Sequence, residues 1–139
     1  MEIIANAVQT VGSNQNVYFT DTVACGGCSI THRANSGLVT LRGGTNQCRA
    51  RYKVFFSGNV AIPTGGTAGS ITMAIAVDGE AVPYSTMITT VAAVEEYNNI
   101  ATEILIDVPR GCCYTISVMN TGAEDLEIQN ASLIIDRVA

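Results

Sequence analysis

The chain has 139 residues, 47% of them apolar and only 14% charged, with a net charge of −5 and five cysteines. That length bounds it to one domain, residues 1–139, large enough to bury a core without help from metal or disulfides, and its apolar content excludes a disordered chain. The one basic run, Arg49, Arg51 and Lys53, is too small for a nucleic-acid footprint, and no apolar stretch reaches the roughly 18 residues that span a membrane.

In chain order, period-two alternation broken by Gly, Asn and Pro predicts about ten strands and an all-β fold. The first is 2–10 (EIIANAVQT), within a start that lacks the basic region of a signal peptide and reads as a soluble, non-exported chain. Strands follow at 16–20, 29–33, 37–42 and 48–60. The Gly-rich loop 62–70 then leads to 70–78, the Asp78-Gly79 hairpin signal and a strand at 81–89. Residues 91–97 (VAAVEEY) offer one helical turn at most. The chain closes with strands at 99–108, 113–120 and 126–138, the last two joined by the polar turn NTGAEDL.

Several of these strands are apolar on both faces. In 48–57, Ala50, Tyr52, Val54 and Phe56 oppose Arg49, Arg51, Lys53 and Ser57, and Phe55 interrupts the polar side. In 99–108, Leu105 stands opposite Ile100, Ile104, Ile106 and Val108. The first strand sets Ile4 and Val8 against Ile3, Ala5 and Ala7, and the last sets Ile134 and Val138 against Leu133 and Ile135. A strand buried on both faces needs a neighbour on each.

Strands of this number and spacing suggest a two-sheet antiparallel jelly-roll sandwich. The order of long and short strands resembles the TNF-like fold shared with complement globular heads. The ending QNASLIIDRVA is similar to the last strand of its phage and bacterial members, and SITMAIAVDGEAVPYSTM to their central hairpin. The resemblance implies that the four two-faced strands share a sheet. It also implies a homotrimer packed through that sheet, with Ile4, Val8, Phe55, Leu105, Ile134 and Val138 at the interface.

The chain carries no recognisable catalytic constellation and no cofactor motif, so it reads as non-enzymatic. Cys25-Gly-Gly-Cys28 lies between strands, without the helix that activates a redox C-x-x-C. His32 is the sole candidate base and sits on a strand, while Glu95-Glu96 and Glu124-Asp125 sit in turns. The Gly-Gly pairs lack a strand-turn-helix context for phosphate. On the TNF-like fold, Cys25, Cys28, Cys48, Cys112 and Cys113 should gather at one pole. There they would form disulfides, pairing Cys25 or Cys28 with Cys48 and with Cys112 or Cys113; hold a metal as a zinc-like set; or stay free and buried.

Sequences of this kind occur as small phage proteins and as terminal domains of spore-surface proteins. The resemblance therefore implies a structural trimer on the virion surface: a capsid decoration or head fibre docked on the major capsid protein. The alternative is a carbohydrate- or protein-binding module, a spore or cell-surface adhesin or a receptor-binding tip. It would read its ligand through loops 62–69 and 90–98.

Overall fold

The computed structural model describes all 139 residues and forms two six-stranded antiparallel sheets packed face to face. The strands are β1 (Glu2–Ala5), β2 (Gln9–Val11), β3 (Asp21–Ala24), β4 (Ile30–His32), β5 (Val39–Arg42), β6 (Arg49–Ala61), β7 (Ser70–Val77), β8 (Glu80–Ala81), β9 (Met87–Thr90), β10 (Asn98–Pro109), β11 (Cys113–Asn120) and β12 (Leu126–Arg137). Sheet A runs β10-β6-β12-β1-β3, with β2 also on β12; sheet B runs β4-β5-β11-β7-β8, with β9 also on β7. This is the expected jelly-roll sandwich, and the four two-faced strands β1, β6, β10 and β12 do lie together in sheet A.

The core is the set of inward alternate residues from both sheets. Tyr52, Val54, Phe56, Leu133 and Ile135 from sheet A meet Leu41, Met73, Ile75, Ile116 and Val118 from sheet B, all fully buried. Because side chains alternate faces with period two, burying these residues fixes which residues point outward. Tyr52 adds a polar tie, its hydroxyl donating to the Arg42 carbonyl at 2.5 Å across the sandwich. Asn120, also fully buried, donates to the carbonyls of Val11 (3.1 Å) and Glu124 (2.8 Å) and accepts from Gly122 N–H (3.0 Å).

Four expectations change. The strand 2–10 is two short strands, β1 and β2, both paired with β12, whose own ladder shifts register between Gln129 and Ser132. Residues 16–20 make isolated bridges rather than a ladder, with Val17 and Phe19 buried, and the strand is the next segment, β3. Residues 81–89 divide into β8, a 3-10 turn at Pro83–Ser85 and β9. Pro83 cannot donate to a ladder, and β8 ends before it; beyond it the Ser85 hydroxyl accepts from Ile75 N–H (3.0 Å) and donates to Val82 C=O (2.7 Å). Residues 91–97 form bends and a turn without helix.

Two glycines are required by geometry. Asp78 (φ 52°) and Gly79 (φ 85°) both adopt the left-handed conformation of a tight hairpin turn. A Cβ on Gly43 would lie 2.1 Å from the Pro109 carbonyl oxygen, so only glycine lets the β5–β6 link pass the end of β10.

Candidate functional site

The outward face of sheet A carries the residues expected to form an interface. Register places Ile134 opposite Phe55 on β6, Phe55 opposite Glu103 on β10, and Ile134 opposite Glu2 on β1. One step along, Leu105 lies opposite Lys53; one step the other way, Ile4 lies opposite Ser132, which lies opposite Ser57. Ile4, Ile134, Phe55 and Leu105 thus form a diagonal apolar stripe across four adjacent strands, β1, β12, β6 and β10. Ile4, Phe55 and Ile134 are half-buried within the chain, and Leu105 is 52% exposed. Ser57, Ser132 and Ala101 flank the stripe with small side chains. Val8, in the link between β1 and β2, and Val138, just beyond β12, are exposed towards opposite ends of the sheet.

Above the stripe, Arg51 makes a two-point ion pair with Asp107 (2.8 and 3.1 Å), and Arg49 stands 3.8 Å from the same carboxylate. The hydrogen bond from Arg51 holds the Asp107 carboxyl below its ordinary range. Both groups are open to solvent, so the pair sets local geometry more than stability.

All five cysteines do reach one pole. Cys25 follows β3, Cys28 precedes β4, Cys48 precedes β6, and Cys112 and Cys113 close the β10–β11 turn. Backbone bonds knit this end together: Arg110 N–H to Cys48 C=O (3.1 Å), Gly43 N–H to Cys112 C=O (2.9 Å) and Arg42 N–H to Ser29 C=O (2.9 Å). Here the structure departs from all three fates expected for the thiols. Every one of the five is free and exposed, so neither the disulfides nor the buried thiols are present, and no three Cys, His, Asp or Glu side chains gather as metal ligands.

Lateral spacing gives the reason. Cys28 enters β4 and Cys113 opens β11, two strands apart in sheet B, or about 10 Å. Cys25 leaves β3 and Cys48 enters β6, three strands apart in sheet A, or about 14 Å. A disulfide joins Cα atoms only about 4.4–6.8 Å apart. Each of these two pairs shares a height along the strands but not a lateral position.

The charge pattern was not read from the sequence. Arg42, Arg49, Arg51, Arg110 and Arg137 all belong to the cysteine pole, at or within three residues of the strand ends there. The opposite pole carries Glu95, Glu96, Glu124, Asp125 and Glu127, with Arg33 just past the far end of β4. Projecting the charges onto strand ends exposes this polarity, which a linear scan for basic runs misses. At the acidic pole, loop 62–69 and the 121–125 turn enclose a polar cleft of about 350 Å³. Glu95, from loop 90–98, accepts from Thr64 N–H at 3.0 Å and ties the two expected recognition loops together. Tyr97 donates to Glu127 (2.9 Å); partial burial and that bond push its phenol up to about 12.

His32 lies at the far end of β4 from Cys28, with its ring edge-on to Phe19 at 6.4 Å. Its Nε2 meets the Ser36 carbonyl at 2.9 Å, and since a carbonyl only accepts, Nε2 carries the proton. That leaves His32 as a packing residue, with no thiol within its reach.

No family model matches the sequence, and no curated protein matches it either. Solved structures do. The chain superposes on the globular domain of zebrafish complement 1qA with a TM-score of 0.68 at 9% identity, covering 99% of this chain and 95% of that one. It superposes on the Eiger TNF of S. frugiperda with a TM-score of 0.71 at 11% identity, covering 100% and 92%. The fold is TNF-like. At these identities the likeness extends to the fold and no further.

Proposed function

We propose that the chain is a non-enzymatic building part that assembles as a homotrimer through the outer face of sheet A and serves on a virion surface, as a capsid decoration or head fibre. The observation that carries the trimer is the diagonal stripe Ile4–Ile134–Phe55–Leu105, placed in the middle of a sheet and bordered by small residues. A contiguous apolar patch on a sheet face marks an interface more often than scattered surface hydrophobes do. Closure as a ring is what the resemblance to the TNF-like fold implies. The virion assignment rests on the similarity of QNASLIIDRVA to the last strand of phage members, with the major capsid protein as docking partner.

Multi-angle light scattering under reducing conditions tests the assembly. The expected mass is three times 14.6 kDa at micromolar concentration, and a monomer refutes it. Mass spectrometry of purified virions and of spores tests the location; detection in the spore coat alone would overturn the virion reading. A second reading, a carbohydrate- or protein-binding module, is favoured by the cleft between loop 62–69 and residues 123–125. A glycan-array signal lost on Glu124→Ala/Asp125→Ala would support it.

A further inference from the structure

β10 is the longest strand at the edge of either sheet, 12 residues with β6 on one side and no strand on the other. Its ladder with β6 runs without a register shift, so no bulge bends the open edge away. The ends of that ladder show which backbone groups face outward. Arg51 N–H donates to Ala139 C=O (3.2 Å) and Arg51 C=O accepts from Val138 N–H (2.8 Å), so both of its backbone groups point to the β12 side. Cys48 C=O accepts from Arg110 N–H (3.1 Å), so the even-numbered residues of β6 are the ones that bond β10. Alternation then turns the N–H and C=O of Asn99, Ala101, Glu103, Leu105 and Asp107 to the open edge. Pro109 continues that set, and the N–H it lacks is one the ladder does not use.

No group of the chain bonds that row of backbone donors and acceptors. β9 lies alongside, but only the Asn98 carboxamide crosses to it, donating to Thr89 Oγ1 (3.1 Å) and Thr90 C=O (3.4 Å). A groove of about 330 Å³, lined by Met87, Ile88, Asn99, Ile100 and Ala101, separates the two strands. The side chains of the edge differ by face. Inward, Ile100, Ile104 and Ile106 keep 6%, 6% and 7% exposure, while Val54 and Leu133 on the inner strands keep none, so the core is thinnest beneath this edge. Outward, Glu103 makes no ion pair, whereas Arg51 and Arg49 hold Asp107. A strand laid here covers the isoleucines with one face and can set a cation beside Glu103 with the other.

We propose that the open edge of β10 takes an added antiparallel strand from a different protein, an extended segment in which apolar residues alternate with Lys or Arg. The backbone of Asn99, Ala101, Glu103, Leu105 and Asp107 supplies the new ladder and continues sheet A by one strand. The segment's apolar residues pack on Ile104 and Ile106, and a cation pairs with Glu103. A folded second copy does not fit. Its own edge strands, β2, β3, β4, β8, β9 and β10, contain no Lys or Arg, and β10 against β10 sets carboxylates against each other. The chain's one alternation of basic and apolar residues, Arg49–Val54, lies in β6, which β10 and β12 already bond on both sides. Edge pairing is independent of the trimer reading, because it uses the backbone rim of β10 rather than the outward stripe.

The test uses the full chain and short end-capped peptides of alternating lysine and valine. Amide exchange read by NMR should be fast at Ala101, Glu103 and Leu105 in the chain alone and slow at Thr102, Ile104 and Ile106. Saturating peptide should slow the first set, and anisotropy of a labelled peptide gives the affinity. A glutamate–valine peptide should bind roughly tenfold more weakly, and Glu103→Lys should weaken the lysine–valine peptide about fivefold. In an antiparallel pair the residues facing Glu103 also bond its backbone. A peptide N-methylated at every lysine should therefore lose binding, and one N-methylated at every valine should keep it. Any other pattern between those two overturns the added strand, as does binding that leaves the three edge amides fast. Slow exchange at those amides without peptide shows the edge covered by another copy and also overturns it. Equal binding of the glutamate peptide overturns the basic partner.

Discussion

Leu105→Ser separates assembly from folding. Leu105 points away from the core and is half exposed in the single chain. Burying a whole leucine side chain contributes about 1.5–3 kcal/mol, so covering the remaining half in an interface is worth about 1 kcal/mol per protomer. Three copies lose about 3 kcal/mol, which raises the trimer dissociation constant on the order of 100-fold. Within one chain the other half of the side chain already packs on sheet A, so the variant also loses about 1 kcal/mol of fold stability, roughly 4 °C in Tm. Phe56→Ala is the contrasting perturbation. Phe56 is fully buried and faces the core, and its truncation should cost about 3–5 kcal/mol of fold stability. Sedimentation velocity across a nanomolar-to-micromolar dilution series reads the first effect and thermal unfolding the second. The reasoning fails if Leu105→Ser and the wild-type chain dissociate over the same concentration range, or if Leu105→Ser unfolds as readily as Phe56→Ala.

Asn120→Ala removes three hydrogen bonds at a fully buried site and strands the carbonyls of Val11 and Glu124; urea unfolding should show a loss of about 3 kcal/mol. Gly43→Ala forces a Cβ onto the Pro109 carbonyl oxygen and should lower Tm by more than 5 °C, on the order of 1–3 kcal/mol, while Gly27→Ala, where a Cβ meets no atom within 4 Å, should change it little. Tyr97, raised to about 12 by burial and by Glu127, favours the folded chain while neutral; its contribution is complete below the ordinary phenol value of 10.0 and is lost as pH rises through about 12. A difference titration of wild type against Tyr97→Phe at 295 nm should place that phenol near 12, and Glu127→Gln should move the transition down. A Tyr97 transition at 10 would refute the assignment.

The long strands were legible because each has a buried alternate face: β6, β10, β11 and β12 lie within two residues of their expected limits. β3 was not, because all four of its residues are exposed, Val23 included, so no alternation betrays it. Val17 and Phe19 drew the expectation one segment early, since both are buried from a loop. The outward stripe was readable residue by residue, as Phe55 and Leu105 each break a polar face, but its continuity depends on register across four strands. The cysteine pole divides in the same way. Strand parity gives a residue's height along the sandwich and puts all five thiols at one end. It carries no information about sideways distance, and within each sheet that distance is too wide for Cys25–Cys48 and for Cys28–Cys113.

The position of β12 has a consequence for how the protein is made. It is the inner strand of sheet A, holding β6 on one side and β1 and β2 on the other. During synthesis, β6 and the N-terminal strands wait for residues 126–137 before that sheet can close, and such distant pairing makes folding slow. Phe55 and Ile134 become neighbours only through the β6–β12 ladder. The surface by which one copy would recognise another is therefore created by the same pairing that completes the sheet. A half-made chain on a crowded polysome has no complete stripe to offer its siblings, so assembly through that face would follow folding.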